Sequence, residues 1–271
     1  MFQRMTSWPS LDTLPDDQSA NARPVDGQGF VKPFVYDDGD TRSLHFTLDE
    51  LQSRMNKRRP WGLDVDYTRT MMGFLLLVPA PTSVAMLGLG GGSLAKFCYR
   101  QLPACRITVV EINPHVIALR RDFCVPDNGA RFEVLQGDGA AFVAGPGHSL
   151  DVLLVDGFDH AGQPAALCSQ RFYDDCFSAL APEGVLVVNL HHDDARYPLW
   201  AERIRRSFGG NAVEIPALEK SNCIVFASRG APLSPRRIKL QTSLARLGSD
   251  ARAELKPEFT RMVWAMKDLD G

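Results

Sequence analysis

The sequence has no surplus of either charge, no long apolar run and no closely spaced cysteines. Thirty Lys and Arg against 32 Asp and Glu leave a net charge of −2 and a pI of about 6.3. That balance gives no electrostatic footprint for nucleic acid or an anionic membrane, and the short basic clusters Lys57-Arg58-Arg59 and Arg236-Arg237 read as solvated loop faces. The longest apolar stretch, Met71 to Val78, stops at Pro79, far short of the about 20 residues that a bilayer span needs. The six cysteines (Cys98, Cys105, Cys124, Cys168, Cys176, Cys223) form no C-x-x-C and no metal-ligand spacing. They read as the reduced thiols of a cytoplasmic protein. The opening residues 1–29 lack the basic-then-apolar pattern of a secretory signal and are rich in Pro, Asp and Ser, as expected of a loose arm. The expectation is therefore a protein with no metal, no nucleic-acid partner and no membrane segment.

What the chain does have is a strand, a glycine loop, a helix, a second strand and an acid, in that order. Ser83 to Gly92 reads SVAMLGLGGG, an apolar run entering Gly88, Gly90, Gly91 and Gly92. The run suits a buried parallel strand, and glycines after it let the backbone turn tightly and come close to a ligand. Ser93 stands where a helix would open and is a candidate cap. A second apolar strand ends in Val109-Val110-Glu111, at roughly the 20-residue spacing where a carboxylate takes the hydroxyls of a ribose. The strict G-x-G-x-x-G pattern is not met, because Ser93 occupies the third glycine position.

Around this unit, 271 residues with 45% hydrophobic content suit one sizeable domain with an appendage. Strand-like segments 34–36 and 43–46 flank the turn signal Asp37-Asp38-Gly39-Asp40 and predict a β-hairpin. Residues 47–54 fit either a strand or a short helix. A helix is expected over 67–78, ended by Pro79 and Pro81. Strands at 84–89, 106–112, 131–135, 151–155 and 185–190 alternate with helices at 93–101, 115–123, 171–180 and 197–208. Strands 212–215 and 223–227 follow as an antiparallel edge pair, and 238–247 and 258–267 are expected to be helical. Repeated βα units call for a doubly wound, mostly parallel α/β sheet. The divisions expected are an arm over 1–29, a hairpin subdomain over 30–66, a nucleoside-binding catalytic domain over 67–230 and a helical tail over 231–271.

In such sheets ligands bind at the carboxyl ends of the strands, and four of those ends carry acids: Glu111, Asp138, Asp156 and Asp159. Each alone has a plain alternative; Asp138 could simply cap a helix. Converging carboxylates repel one another unless a cation or hydrogen-bond donors share the site. The chemistry they favour involves a sulfonium, an amine, or both.

The motifs GLGGG, VVEI, GDG, DVLLVDGFD, FYDDCFSAL and PEGVLVVN, in this order, resemble the polyamine aminopropyltransferases, the spermidine synthase family, and within it a divergent bacterial branch. The resemblance covers about residues 34–229. It implies a Rossmann-like, class I methyltransferase-type fold with an N-terminal β-hairpin subdomain. It implies an enzyme moving an aminopropyl group from decarboxylated S-adenosylmethionine to a di- or polyamine, without a metal. Gly88, Gly90, Gly91, Glu111, Asp138 and Gly139 would hold the nucleoside, Glu111 at the ribose and Asp138 at the adenine amino group. Asp156 would assist deprotonation of the attacking amine, Asp159 would hold the acceptor's ammonium, and Tyr67 matches a tyrosine lining the substrate site. Members commonly dimerise, which makes a homodimer through the N-terminal hairpin an expectation.

Two departures open another reading. The family's loop carries an aspartate where Gly91 stands, and its D-x-x-D-P ends here in His160. That aspartate pairs with the donor's aminopropyl ammonium, so a glycine there would leave room for the carboxylate of intact S-adenosylmethionine. A methyltransferase on the same fold is therefore the alternative, with a non-catalytic nucleoside- or polyamine-binding relative as a third. His191-His192-Asp193-Asp194, Phe158 and Trp200 are candidates for an acceptor pocket, whereas Tyr173 reads as core.

Overall fold

The computed structural model describes residues 26, 27, 29–47, 51–158, 162–218 and 221–267. Three strands open it: β1 (Phe34–Asp38), β2 (Thr41–His45) and β3 (Leu51–Asn56), an antiparallel sheet in that order. Gly39, at φ +43°, makes the tight turn between β1 and β2, where Asp38 faces Thr41. The segment that fitted strand or helix is thus a strand, and the predicted hairpin gains a third member. Helices α1 (Asp66–Met71) and α2 (Phe74–Leu77) follow. The single helix expected over 67–78 is interrupted at Met72 and Gly73, and Met262 packs where a side chain at 73 would sit.

The main domain then alternates: β4 (Ser83–Leu87), α3 (Ser93–Gln101), β5 (Arg106–Glu111), α4 (Pro114–Ala118), β6 (Phe132–Gln136), α5 (Gly139–Ala144) and β7 (Leu150–Val155). It continues through α6 (Gln170–Ala179), β8 (Leu180–His191), α7 (Tyr197–Ser207), β9 (Ala212–Pro216) and β10 (Asn222–Ser228) to α8 (Leu240–Arg246) and α9 (Ser249–Lys267). The sheet runs β6-β5-β4-β7-β8-β10-β9. Its first five members are parallel, and β10 pairs antiparallel with both β8 and β9. Strand order reverses between β4 and β7, and that reversal opens a crevice at their carboxyl ends.

The strands read as continuous apolar runs because both faces of the sheet are covered. Val84 and Met86 of β4 belong to one core layer, with α1–α3, α8 and α9, while Ala85 and Leu87 belong to the other, with α6 and α7. The tail is part of the first layer: Leu255, Phe259 and Met262 of α9 are fully buried. Glu258 of α9 takes a 2.6 Å hydrogen bond from Thr70 Oγ1, fixing α1 and hence the segment that carries Tyr67. No helix of the described residues is long and apolar enough to cross a membrane.

Candidate active site

Three loops at the strand reversal build the site. Gly88 leaves β4 with its N–H on Val110 O at 2.8 Å, and Asp156 leaves β7 with its N–H on Leu87 O at 2.9 Å. Gly88 stands at φ +98°, and a Cβ on it would overlap the carbonyl of Asp156. Only glycine lets the two loops pass this closely. Gly90 and Gly92 also have positive φ, +51° and +67°. Gly92 is the cap residue of α3 and Ser93 is its first helical residue, with no side-chain cap bond. The capping expected of Ser93 is replaced by a left-handed glycine turn.

Glu111 ends β5 facing this loop and is 8% exposed. Its Oε2 accepts the Leu89 N–H at 2.9 Å and its Oε1 the Asn113 N–H at 2.8 Å. Burial raises its pKa, and these backbone donors pull against that rise. Asp138 does cap a helix: its Oδ1 accepts the Ala141 N–H of α5 at 2.9 Å. It also lines the crevice, with Gly137 and Gly139 beside it. Gly139 packs close to Leu87, 3.2 Å from its added Cβ to Cδ1.

These groups line a cavity of about 350 Å3 that includes Gly88, Gly90, Glu111, Asp138, Gly139, Tyr67 and Asp156. Gly91 does not line it. A Cβ there would lie 2.6 Å from Ser53 Oγ and 2.9 Å from Phe123 Cδ1. The side-chain position at 91 thus faces Ser53 of β3 and Phe123, and Ser53 itself lines the cavity. Asp156 is half-buried, and Tyr67 Oη donates to its Oδ2 at 3.0 Å while Asn189 Nδ2 donates to its Oδ1 at 2.8 Å. Desolvation raises the Asp156 pKa, opposed by those two donors. Burial and the neighbouring carboxylate push the Tyr67 phenol well above its usual range.

A second cavity of about 490 Å3 adjoins the first. Gln52, Val65, Tyr67 and Phe158 line both. Beyond them its wall carries His191, Asp193 and Asp194, with Trp200. Phe158 packs on His191 with ring centroids 4.8 Å apart. Tyr173 is wholly buried in the core. Asp159 and His160 lie outside the described residues. Among the described residues, no group of three His, Cys, Asp or Glu is arranged to hold a metal ion.

Three polar residues that were not site candidates in the sequence also stand here: Gln163, Asn189 and Asn222. Gln163 is 5% exposed; its Nε2 donates to Asn189 O at 3.1 Å, and its Oε1 is buried without a partner. Asn189 interrupts the otherwise apolar run VLVVNL of β8. A polar residue at the carboxyl end of a buried parallel strand was the available signal.

One variant tests the crowding at position 91. Gly91→Asp is expected to destabilise the fold by about 1–3 kcal/mol through overpacking, read as a lower Tm with ligand absent. An unchanged Tm would mean that Ser53 and Phe123 move aside without cost.

Residues 65–195 match the spermine/spermidine synthase domain. A polyamine aminopropyltransferase of Neisseria meningitidis is 39% identical over 241 residues, 88% of this chain and 90% of that protein. The one from Chromobacterium violaceum is 41% identical over 199 residues, 73% of this chain and 76% of its own length. Among solved structures, a probable spermidine synthase from Corynebacterium glutamicum superposes with a TM-score of 0.65 at 21% identity, covering 79% of this chain and 82% of that one. A spermidine synthase bound to the transition-state analogue AdoDATO gives 0.58 at 20% identity, over 83% and 88%. Human methyltransferase-like protein 13 with SAH gives 0.57 at 23%, over 72% and 93%, so the fold alone is common to both activities. The sequence relatives separate them: this chain belongs to the polyamine aminopropyltransferase family.

Proposed function

We propose a division of labour for the aminopropyl transfer that this family performs. The first cavity takes the nucleoside of decarboxylated S-adenosylmethionine, and the second takes a small di- or polyamine. Asp156 works at their junction. The observation that carries this is the placement of Asp156: it lines the first cavity, and its two hydrogen-bond partners, Tyr67 and Asn189, line the second.

The residues of the first cavity fit a nucleoside donor. Glu111 is fixed by backbone donors in an orientation that leaves further lone pairs for ribose hydroxyls. Asp138 is an acceptor for an exocyclic amine. Ile112, 51% exposed beside Glu111, offers an apolar face to a base. The donor supplies a sulfonium, whose carbon is attacked without any need of metal assistance.

An alkyl amine is protonated at neutral pH, with a reference value of about 10.4 for a lysine-like group, and cannot attack in that form. Asp156 removes the proton and aims the lone pair. The new N–C bond forms as the C–S bond breaks, and its electron pair returns to sulfur, giving methylthioadenosine. Burial supports this role, since a raised carboxyl pKa makes Asp156 a stronger base than a solvated aspartate. The far ammonium has acceptors in Gln163 and Asp193 on the wall of the second cavity, and the family pattern gives Asp159 the same role. The aromatic faces of Phe158 and Trp200 suit the methylene chain and a cation. The six unpaired thiols support a reducing, cytoplasmic setting.

The test is product analysis with each donor and a panel of diamines. Decarboxylated S-adenosylmethionine is expected to give methylthioadenosine and an aminopropylated amine. The same donor at a hundredfold its Kd is expected to stabilise the fold by about 2.7 kcal/mol. S-adenosylhomocysteine formed from intact S-adenosylmethionine, with no turnover of the decarboxylated donor, would reverse the reading in favour of methyl transfer.

A further inference from the structure

Behind Asp156 lies a line of buried amides ending on a histidine. Asn189 Nδ2 donates to Asp156 Oδ1 at 2.8 Å, Asn222 Nδ2 donates to Asn189 Oδ1 at 2.9 Å, and the same Asn222 nitrogen lies 3.2 Å from His191 Nε2. His191 Nδ1 in turn lies 3.5 Å from Ser221 Oγ. The sheet register builds the line: Asn189 and His191 are two residues apart on β8, and β10 places Asn222 opposite His191. Asn189 and Asn222 are 1% and 4% exposed.

Hydrogen-bond chemistry fixes the orientation of every member. An ionised carboxylate only accepts. Asn189 must then turn its NH2 to Asp156 and its oxygen to Asn222. Asn222 must turn its NH2 to that oxygen, and its other N–H points at His191. Nε2 must therefore carry the lone pair, which leaves the ring proton on Nδ1, facing Ser221. We propose that Asn189, Asn222 and His191 form a polarity relay that ties the charge of Asp156 to the tautomer of His191, with the two asparagines as positioning residues for proton transfer. The proposal rests on the catalytic reading of Asp156 given above.

The relay decides where the amine proton goes. Protonating Oδ1 would set its O–H against the NH2 of Asn189, and relieving that clash means turning two amides and the imidazole. Protonating Oδ2 needs only the Tyr67 hydroxyl to swing from donor to acceptor. The N–H bond of the amine breaks, the Oδ2–H bond forms, and Oδ1 stays held. Other groups facing His191 are Phe158, Asp193 and Asp194 on the wall of the shared cavity, and His192 next in the chain. Those facing Asp156 are Tyr67 and Asn189, with Asp66 acting on Tyr67 from the start of α1.

Two measurements on the full chain test it. The first is the 15N–1H spectrum of the imidazoles, with His191 assigned by its loss in His191→Gln. The Nδ1–H tautomer is expected at neutral pH, and an Nε2–H tautomer overturns the relay whether or not the protein turns over any amine. The second is the acid limb of kcat/KM in Asn222→Asp and Asn222→Ala. Aspartate presents only acceptors to Asn189 and drives its amide round, so the limb should move to higher pH by about one unit, a tenfold loss of activity on that limb. Alanine removes the donor without forcing the turn and should move it less, though it leaves the larger gap. A purely structural role predicts the opposite ranking, with the near-isosteric aspartate the milder change. Uniformly lower activity with unmoved midpoints overturns the coupling. Absence of turnover in the unmodified enzyme defeats the reading of Asp156, and the tautomer still decides the relay.

Discussion

Replacing Asp156 with Asn is expected to lower kcat by about 10²–10⁴-fold, the usual weight of a positioned general base, while leaving donor binding nearly intact. The site accommodates the amide without rearrangement. Its oxygen takes the Asn189 N–H, as Oδ1 does now, and its NH2 faces the Tyr67 hydroxyl, which rotates to accept. The nucleoside partners Glu111 and Asp138 are untouched, so KM for the donor should hold. Stability gives an independent check. Burial raises the folded-state pKa of Asp156, so the folded chain holds this proton more tightly than the unfolded one. The carboxylate therefore costs stability, and the cost appears as pH climbs from the unfolded value through the raised folded value. Asp156→Asn should match the parent in acid and equal or exceed it at neutral pH. Turnover near the parental level in this variant would falsify the role given to Asp156. Low turnover with a weakened donor KM would instead mean that the amide had disturbed the crevice.

The parts of the architecture that follow from local chemistry were legible in the sequence. Alternating apolar runs and helices gave the sheet. The glycines after β4 marked the turn into α3, and the acids at the ends of β5, β6 and β7 converge on one crevice. What was hidden depends on contacts between distant segments. Gly91 looked like a ligand residue because it sits in a glycine loop, but its neighbours are Ser53 and Phe123, 38 and 32 residues away in sequence. Gly73 likewise packs against Met262 from the far end of the chain. Asn189 and Asn222 meet behind Asp156 because β8 pairs with β10, and Gln163 reaches Asn189 O from the loop after β7. No motif spacing encodes that meeting. Asp138 shows the converse: its plain role as a helix cap and its place on the crevice wall are both realised, by different oxygens or lone pairs of one carboxylate.

Gly88→Ala is expected to be the most damaging single methyl in the chain. Two costs coincide at this position. A residue with a Cβ is strained at φ +98°, by about 1–3 kcal/mol. The added carbon also overlaps the Asp156 backbone, with the carbonyl carbon 2.9 Å away, and such overpacking costs about 1–3 kcal/mol more. Relief has to come from moving one loop off the other, because Gly88 and Asp156 are each tied to a neighbouring strand through Val110 O and Leu87 O. That motion carries Asp156 away from Tyr67 and Asn189, so stability and turnover should fall together. At roughly 2–4 °C per kcal/mol for a chain of this size, Tm should drop by about 5–15 °C, with kcat lost beyond what residual folding explains. Gly90→Ala is the matched control. It has the same sign of φ, +51°, but its added Cβ would come no nearer than 3.7 Å to Ser53 Cβ, so it pays the conformational strain alone. A larger effect at 90 than at 88 would show that the approach of the β4 loop to the β7 loop is not what holds Asp156 in place.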